Sequence, residues 1–161
     1  MLSAQTLLGK NALIGGGSDG IGLATAQALA QLGARCTLVA RRVDRLHEAL
    51  LTLDRSQGQQ HNVLALDLAD AAALDARLSE YLHTAPQTFH IFVNNSGGPA
   101  AGAAHTAQPA AFAAAFQQHL IAAQMILQQI LPDMRKSGYG RIINIISTSV
   151  KQPLPNLGVS N

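Results

Sequence analysis

The sequence predicts an α/β domain in which a doubly wound parallel β-sheet carries helices on both faces. Short apolar runs alternate with longer helical stretches along the chain. The runs are continuously apolar rather than alternating, as strands buried on both faces are. A glycine cluster separates the first run from the first helix, at the strand end where such sheets take their ligands.

The elements follow in order. Asn11 to Gly15 (NALIG) reads as the first strand, and Gly15 to Gly22 as a glycine loop. A helix fits Ile21 to Leu32, with Ile21, Ala24, Ala28 and Leu32 on one face and Gly33 placed to end it. Cys36 to Ala40 is the second strand, and Val43 to Gln57 a second helix closed by Gly58. Val63 to Leu66 is the third strand, and Asp70 is placed to cap a helix reaching Thr84. Phe89 to Asn94 is the fourth strand. Pro109 opens a long helix to about Arg135, with Phe112, Phe116, Leu120, Ala123, Leu127 and Ile130 roughly in line. Arg141 to Ile146 is the fifth strand.

Composition narrows the function classes. The 161 residues suffice for one domain with a true core, and 48 % are hydrophobic against 12 % charged, which excludes a disordered segment. A net charge of +2 is no nucleic-acid footprint. The lone Cys36 permits no internal disulfide and fits a reducing compartment, so a cytoplasmic protein is expected. The start of the chain lacks signal-peptide character, and no run of about 18 apolar residues suggests a membrane span. The histidines show no i, i+4 pair and no cysteine partner, so no metal site is expected.

The loop Gly15-Gly16-Gly17-Ser18-Asp19-Gly20-Ile21-Gly22 allows close approach of a phosphate to backbone and helix N-terminus. Two glycine registers fit it: Gly15, Gly17 and Gly20 as G-x-G-x-x-G, or Gly16, Gly20 and Gly22 as G-x-x-x-G-x-G. A Walker loop is excluded because Ile21-Gly22 follows Gly20. At the end of the second strand, an acid would accept from the ribose 2′-OH of NAD. Here Arg41 and Arg42 follow Ala40, and guanidinium groups there suit a 2′-phosphate, favouring NADP(H) over NAD(H). The alternative is two solvated arginines at a helix start.

Further motifs lie at successive strand ends: Asp67-Leu68, Asn94-Asn95-Ser96-Gly97, and Gly140-Arg141-Ile142-Ile143-Asn144-Ile145-Ile146-Ser147. Together with GGGSDGIG, these resemble the short-chain dehydrogenase/reductase family from Lys10 to Ser160. The resemblance implies a Rossmann-like sheet and hydride transfer between a nicotinamide and a small-molecule carbonyl or alcohol. It also implies the second glycine register, with Gly16, Ser18, Gly20, Ile21 and Gly22 at the pyrophosphate and adjacent ribose. Asp67, with Leu68 beside it in the motif, would accept from the adenine amino group. Asn94, Ser96 and Gly97 would line the nicotinamide-side ribose, and Ser147 would hold the substrate oxygen. Read without the resemblance, Asp67 is equally a helix cap, the asparagines a turn and Ser147 one hydroxyl of a Ser-Thr-Ser cluster.

The pattern departs from the family at the catalytic positions. His119 stands where the family has a helix asparagine, and Ser160, thirteen residues past Ser147, where it has the acid/base tyrosine. The lysine that lowers that tyrosine's pKa would fall past Asn161. His119 is either a proton carrier or a partly buried helix histidine. Two functions are therefore expected as alternatives: an NADP(H)-dependent oxidoreductase, or a non-catalytic NADP(H)-binding module. The sequence is also expected to be part of a longer polypeptide, because the fifth strand of the family's sheet is internal. The long helix has apolar residues on more than one side, including Ile121 and Met125, which suggests a homo-oligomer.

Overall fold

A computed structural model of the chain describes residue 3 and residues 5–85 and 87–161. Five strands form one parallel sheet in the order β3-β2-β1-β4-β5. They are β1 (Asn11–Gly15), β2 (Arg35–Ala40), β3 (Asn62–Ala65), β4 (Ile91–Asn94) and β5 (Arg141–Asn144). The helices are α1 (Gly20–Gln31), α2 (Val43–Leu50), α3 (Ala71–Thr84), α4 (Pro109–Phe116) and α5 (Ala122–Lys136). The chain steps outward from β1 through β2 to β3, then crosses back to β4 on the other side of β1. The crevice above β1 and β4 is therefore the point where the winding reverses, the position at which such sheets bind ligands.

Strand periodicity divides the core into two layers. Ala12 and Ile14 of β1, Leu38 of β2 and Val93 of β4 face α1 and α2, meeting Ala26, Ala30, Leu46 and Ala49. Leu13, Val39 and Phe92 face the opposite side and meet Leu74 and Leu78 of α3 with Ile126 and Ile130 of α5. Both faces of the inner strands are covered, which is why their sequences are continuously apolar. β5 is the outer strand and is exposed throughout. Burial pushes the Cys36 thiol up to about 12, so it behaves as a small core side chain.

Two helix faces differ from expectation. On α1 the buried face is Gly22, Ala26 and Ala30, whereas Ile21 is 60 % exposed and Ala24 and Ala28 face solvent. Residues this small, four apart, let the helix approach the sheet more closely than an isoleucine would allow. In the long helix, the expected line from Phe112 to Ile130 is split. Phe112, Phe116 and Leu120 are exposed, while Ala123 and Ile130 are buried. A π turn at Gln117–Ile121 joins α4 to α5. Its wider turn shifts the helical phase, so a stripe drawn at a constant 3.6-residue period leaves the core at this point. By length and composition the 28-residue stretch Pro109–Lys136 is apolar enough to cross a membrane. Its second half instead carries Ala122, Ala123, Ile126, Ile130 and Met134 into the core.

Several boundaries also shift. α2 ends at Leu50 rather than Gln57. Beyond it the Thr52 hydroxyl donates to the Ala49 carbonyl, and the Asp54 carboxylate accepts from the Ser56 N–H, replacing helical bonds with local turns. Gly58, at φ +79°, closes that turn rather than the helix. β3 spans Asn62–Ala65, while β4 and β5 are shorter than expected, at Ile91–Asn94 and Arg141–Asn144. The α3 cap is as expected: the Asp70 side chain accepts from the Ala73 N–H.

Two histidines join strands at the end of the sheet remote from the crevice. His61, just before β3, accepts the Cys36 N–H on Nδ1 at 3.0 Å, and its Nε2 lies 2.8 Å from the Asp54 carbonyl. His90, just before β4, accepts the Asn11 N–H on Nδ1 at 3.1 Å. A proton on either Nδ1 would meet a backbone donor. Desolvation lowers both pKa values, with the Lys10 charge adding to the effect at His90. Because the folded-state values are lowered, the unfolded chain binds more protons in acid, and stability rises with pH. The denaturant midpoint is expected to fall as pH drops below the ordinary histidine value of about 6.5, with the loss complete below the folded-state values. Urea titrations at a series of pH values check this, and His61→Gln should flatten the dependence.

Candidate functional site

A cleft of about 650 Å³ opens at the carboxyl ends of β1 to β4. Among the expected residues, Gly16 and Ser18 line it from the glycine loop, Arg41 and Arg42 from the β2 end, and Asp67 and Leu68 from the β3 end. Ser96 and Gly97 line it from the β4 end. Gly98 and Gln118, which lie outside the residues expected from the sequence, complete that side.

The loop geometry constrains the glycines of both registers. Gly16 and Gly20 have φ of +58° and +51°, in the left-handed region that side chains disfavour. A Cβ on Gly22 would collide with the backbone carbonyls of Gly16 and Gly15. A Cβ on Gly15 would likewise meet the Asn95 carbonyl, and one on Gly17 the Leu38 side chain, so both registers need their glycines and the choice of G-x-x-x-G-x-G rests on the family resemblance. Asp19 caps α1, its carboxylate accepting the Gly20 N–H at 2.7 Å. The N–H groups of Ile21 and Gly22, further into the first turn, have no acceptor within the helix by position. Asn95 braces the loop from β4, its side-chain amide donating to the Gly15 carbonyl at 3.1 Å.

Arg41 and Arg42 are exposed at the start of α2, and neither has an acidic partner among the described residues. Like charge at a helix N-terminus is unfavourable, so the pair leaves a positive corner of the cleft free for an anion. Asp67 is not the α3 cap. Its carboxylate accepts the Ala69 N–H at 3.0 Å within the turn after β3, beside the cleft. Asn94 is not among the residues lining the cleft, and its side-chain amide donates to Asn144 Oδ1 at 3.0 Å.

No hydrogen bond joins the three catalytic candidates to one another among the described residues. The exposed Ser147 caps a short 3₁₀ turn, Oγ accepting the Ser149 N–H at 3.1 Å. Ser160 is exposed, and its N–H donates to the Leu157 carbonyl. His119 lies in the π turn, with Nδ1 hydrogen-bonded to Ser96 Oγ at 2.7 Å. The polar triplet Gln117-Gln118-His119, directly after the wholly apolar α4, was the available signal that this turn faces something other than core. Gln118 donates from Nε2 to the Gly97 carbonyl at 2.7 Å.

Comparison with known proteins places the chain in a family. A family model described as short chain dehydrogenase matches residues 10–159, and the chain belongs to that family. It is 34 % identical over 151 residues to a fatty acyl-CoA reductase of Acinetobacter baylyi, covering 92 % of this chain and 50 % of the relative. It is 32 % identical to a 2,3-dihydroxy-2,3-dihydro-p-cumate dehydrogenase of Pseudomonas putida, covering 99 % of this chain and 61 % of the relative. Among solved structures, L-sorbose reductase from Gluconobacter frateurii, complexed with NADPH and L-sorbose, superposes with a TM-score of 0.89 at 35 % identity. That match covers 98 % of this chain and 60 % of the other. The chain thus spans about half the length of the curated relatives it matches.

Proposed function

We propose that the protein is an NADP(H)-dependent oxidoreductase of the short-chain dehydrogenase/reductase type, and that residues 1–161 form a single dinucleotide-binding domain. The observation that carries this reading is the cleft itself. It brings together a glycine loop after β1, two exposed arginines after β2 with no acidic partner among the described residues, and the Asp67 carboxylate after β3. The residues fit the dinucleotide. Gly16, Ser18, Gly20, Ile21 and Gly22 would hold the pyrophosphate and neighbouring ribose, and Arg41 and Arg42 the 2′-phosphate. Asp67 and Leu68 would bind adenine. Ser96 and Gly97 would hold the nicotinamide-side ribose, with Asn94 bracing that loop from behind. The NADPH in the sorbose reductase complex supports the choice of cofactor.

When bound, the dinucleotide supplies or accepts the hydride. The chain's own part is to orient it and to hold the substrate. Ser147, with an exposed hydroxyl at the β5 end, would donate to the oxygen of a small carbonyl or alcohol substrate. Ser160 stands in the acid/base position, but its hydroxyl is a far weaker acid than a phenol. We also place the protein in the cytoplasm, in keeping with its single buried thiol, and infer homo-oligomers through the exposed Phe112, Phe116 and Leu120.

The test is NADPH oxidation by the purified chain against a panel of ketones, aldehydes and sugars. Turnover is expected, and Ser147→Ala should reduce kcat on the order of 100-fold, the usual effect of removing one donor to a developing oxyanion. Tight NADPH binding without turnover on any substrate would overturn the enzyme reading and leave a nucleotide-binding module.

A further inference from the structure

The floor of the cleft on its β4 side is tied to the long helix by side chains. Ser96 Oγ and His119 Nδ1 share a hydrogen bond at 2.7 Å, and one residue away Gln118 Nε2 donates to the Gly97 carbonyl at 2.7 Å. The helix contributes both bonds from its π turn, where the widened backbone brings successive residues toward the loop. Behind them the Asn94 side-chain amide reaches the His119 carbonyl at 3.5 Å and Asn144 Oδ1 at 3.0 Å, joining the ends of β4 and β5 to the same turn. Gly97 and Gly98 lie in this loop, and a Cβ on either would meet nothing within 4 Å.

We infer that His119 is a positioning residue that acts through Ser96: the pair clamps the loop after β4 in the shape that receives the nicotinamide-side half of the dinucleotide. The inference rests on the nucleotide-binding reading above. It assigns Ser96 two tasks, lining the cleft and anchoring its wall, and gives the His119 side chain of the π turn a partner in the loop.

The clamp acts on one half of the ligand, and the test uses this. NADPH spans the whole cleft, whereas 2′,5′-ADP occupies only the adenylate end. Ser96→Ala and His119→Phe should each weaken NADPH binding about five-fold, the effect of one lost neutral hydrogen bond. Binding of 2′,5′-ADP should stay within about two-fold, because those residues lie at the other end. The double variant should be no weaker than either single one, where independent effects would multiply to about 25-fold. Ser96→Thr, which keeps the hydroxyl, should restore binding. Equal losses for both ligands, or multiplying losses, would overturn the clamp. Hydrogen exchange provides a second readout that needs no ligand: amides at 96–98 should exchange faster in Ser96→Ala. If the unmodified chain binds neither ligand, the nucleotide reading falls by itself. The clamp then stands or falls on whether that exchange changes.

Discussion

Gly22→Ala is expected to lower stability by about 2 kcal/mol and to abolish dinucleotide binding, the typical cost of forcing a methyl into a packed site being about 1–3 kcal/mol. At Gly22, α1 and the glycine loop touch. A Cβ there meets the carbonyls of Gly16 and Gly15, and those atoms are backbone rather than the far end of a side chain. They cannot rotate away, so either the helix lifts from β1 or the loop opens. Lifting the helix exposes Ala26 and Ala30, both completely buried. Opening the loop moves Gly16 out of the cleft wall. Urea unfolding and an NADPH titration of the same variant would measure both effects. An unchanged midpoint would mean that the loop has slack the geometry does not show. Gly97→Ala provides the contrast: a Cβ there meets nothing, and stability should hold within about 0.5 kcal/mol.

Arg41→Asp should weaken NADPH binding about 100-fold while changing NADH binding by no more than about three-fold, since a charged hydrogen bond is lost and a repulsion added. Both arginines are exposed and, among the described residues, have no acidic partner, so the substitution leaves no buried charge behind. Selectivity is therefore the informative quantity. A carboxylate at this position could also accept from the 2′-OH of NADH, which would shift preference toward that cofactor. Equal weakening of both cofactors would mean that the arginines support the loop rather than read a phosphate. Raising salt should weaken NADPH binding to the unmodified chain and leave the aspartate variant less affected.

The parallel sheet with helices on both faces was legible because continuous apolar runs and helical stretches alternate along the chain, whereas the order β3-β2-β1-β4-β5 emerges only from the structure. Site residues at strand ends were legible for the same reason: Gly16, Arg41, Asp67 and Ser96 meet in one cleft because the sheet brings its carboxyl ends together. What failed was the inference of faces. Ile21 looked like a core residue on a 3.6-residue wheel, but Gly22, Ala26 and Ala30 won the buried face because close packing favours the smaller side chains. Phe116 and Leu120 were placed in line with Ile130, since nothing in a single sequence announces a π turn. The end of α2 was missed because Thr52 and Asp54 replace helical bonds with their own, an effect of side-chain chemistry that apolar periodicity does not register. The Ser96–His119 bond was beyond reach because its partners are 23 residues apart and meet only through the fold. Asp67 could be read from sequence as cap or ligand, and the structure gives the cap to Asp70.

The central claim is that this cleft selects a 2′-phosphorylated dinucleotide. It is tested most directly by titrating the unmodified chain with NADPH and with NADH at the same ionic strength. The account predicts saturable binding of both, with NADPH tighter by at least about ten-fold, the least that one charged hydrogen bond to the phosphate should contribute. Equal affinities, or tighter binding of NADH, would contradict it.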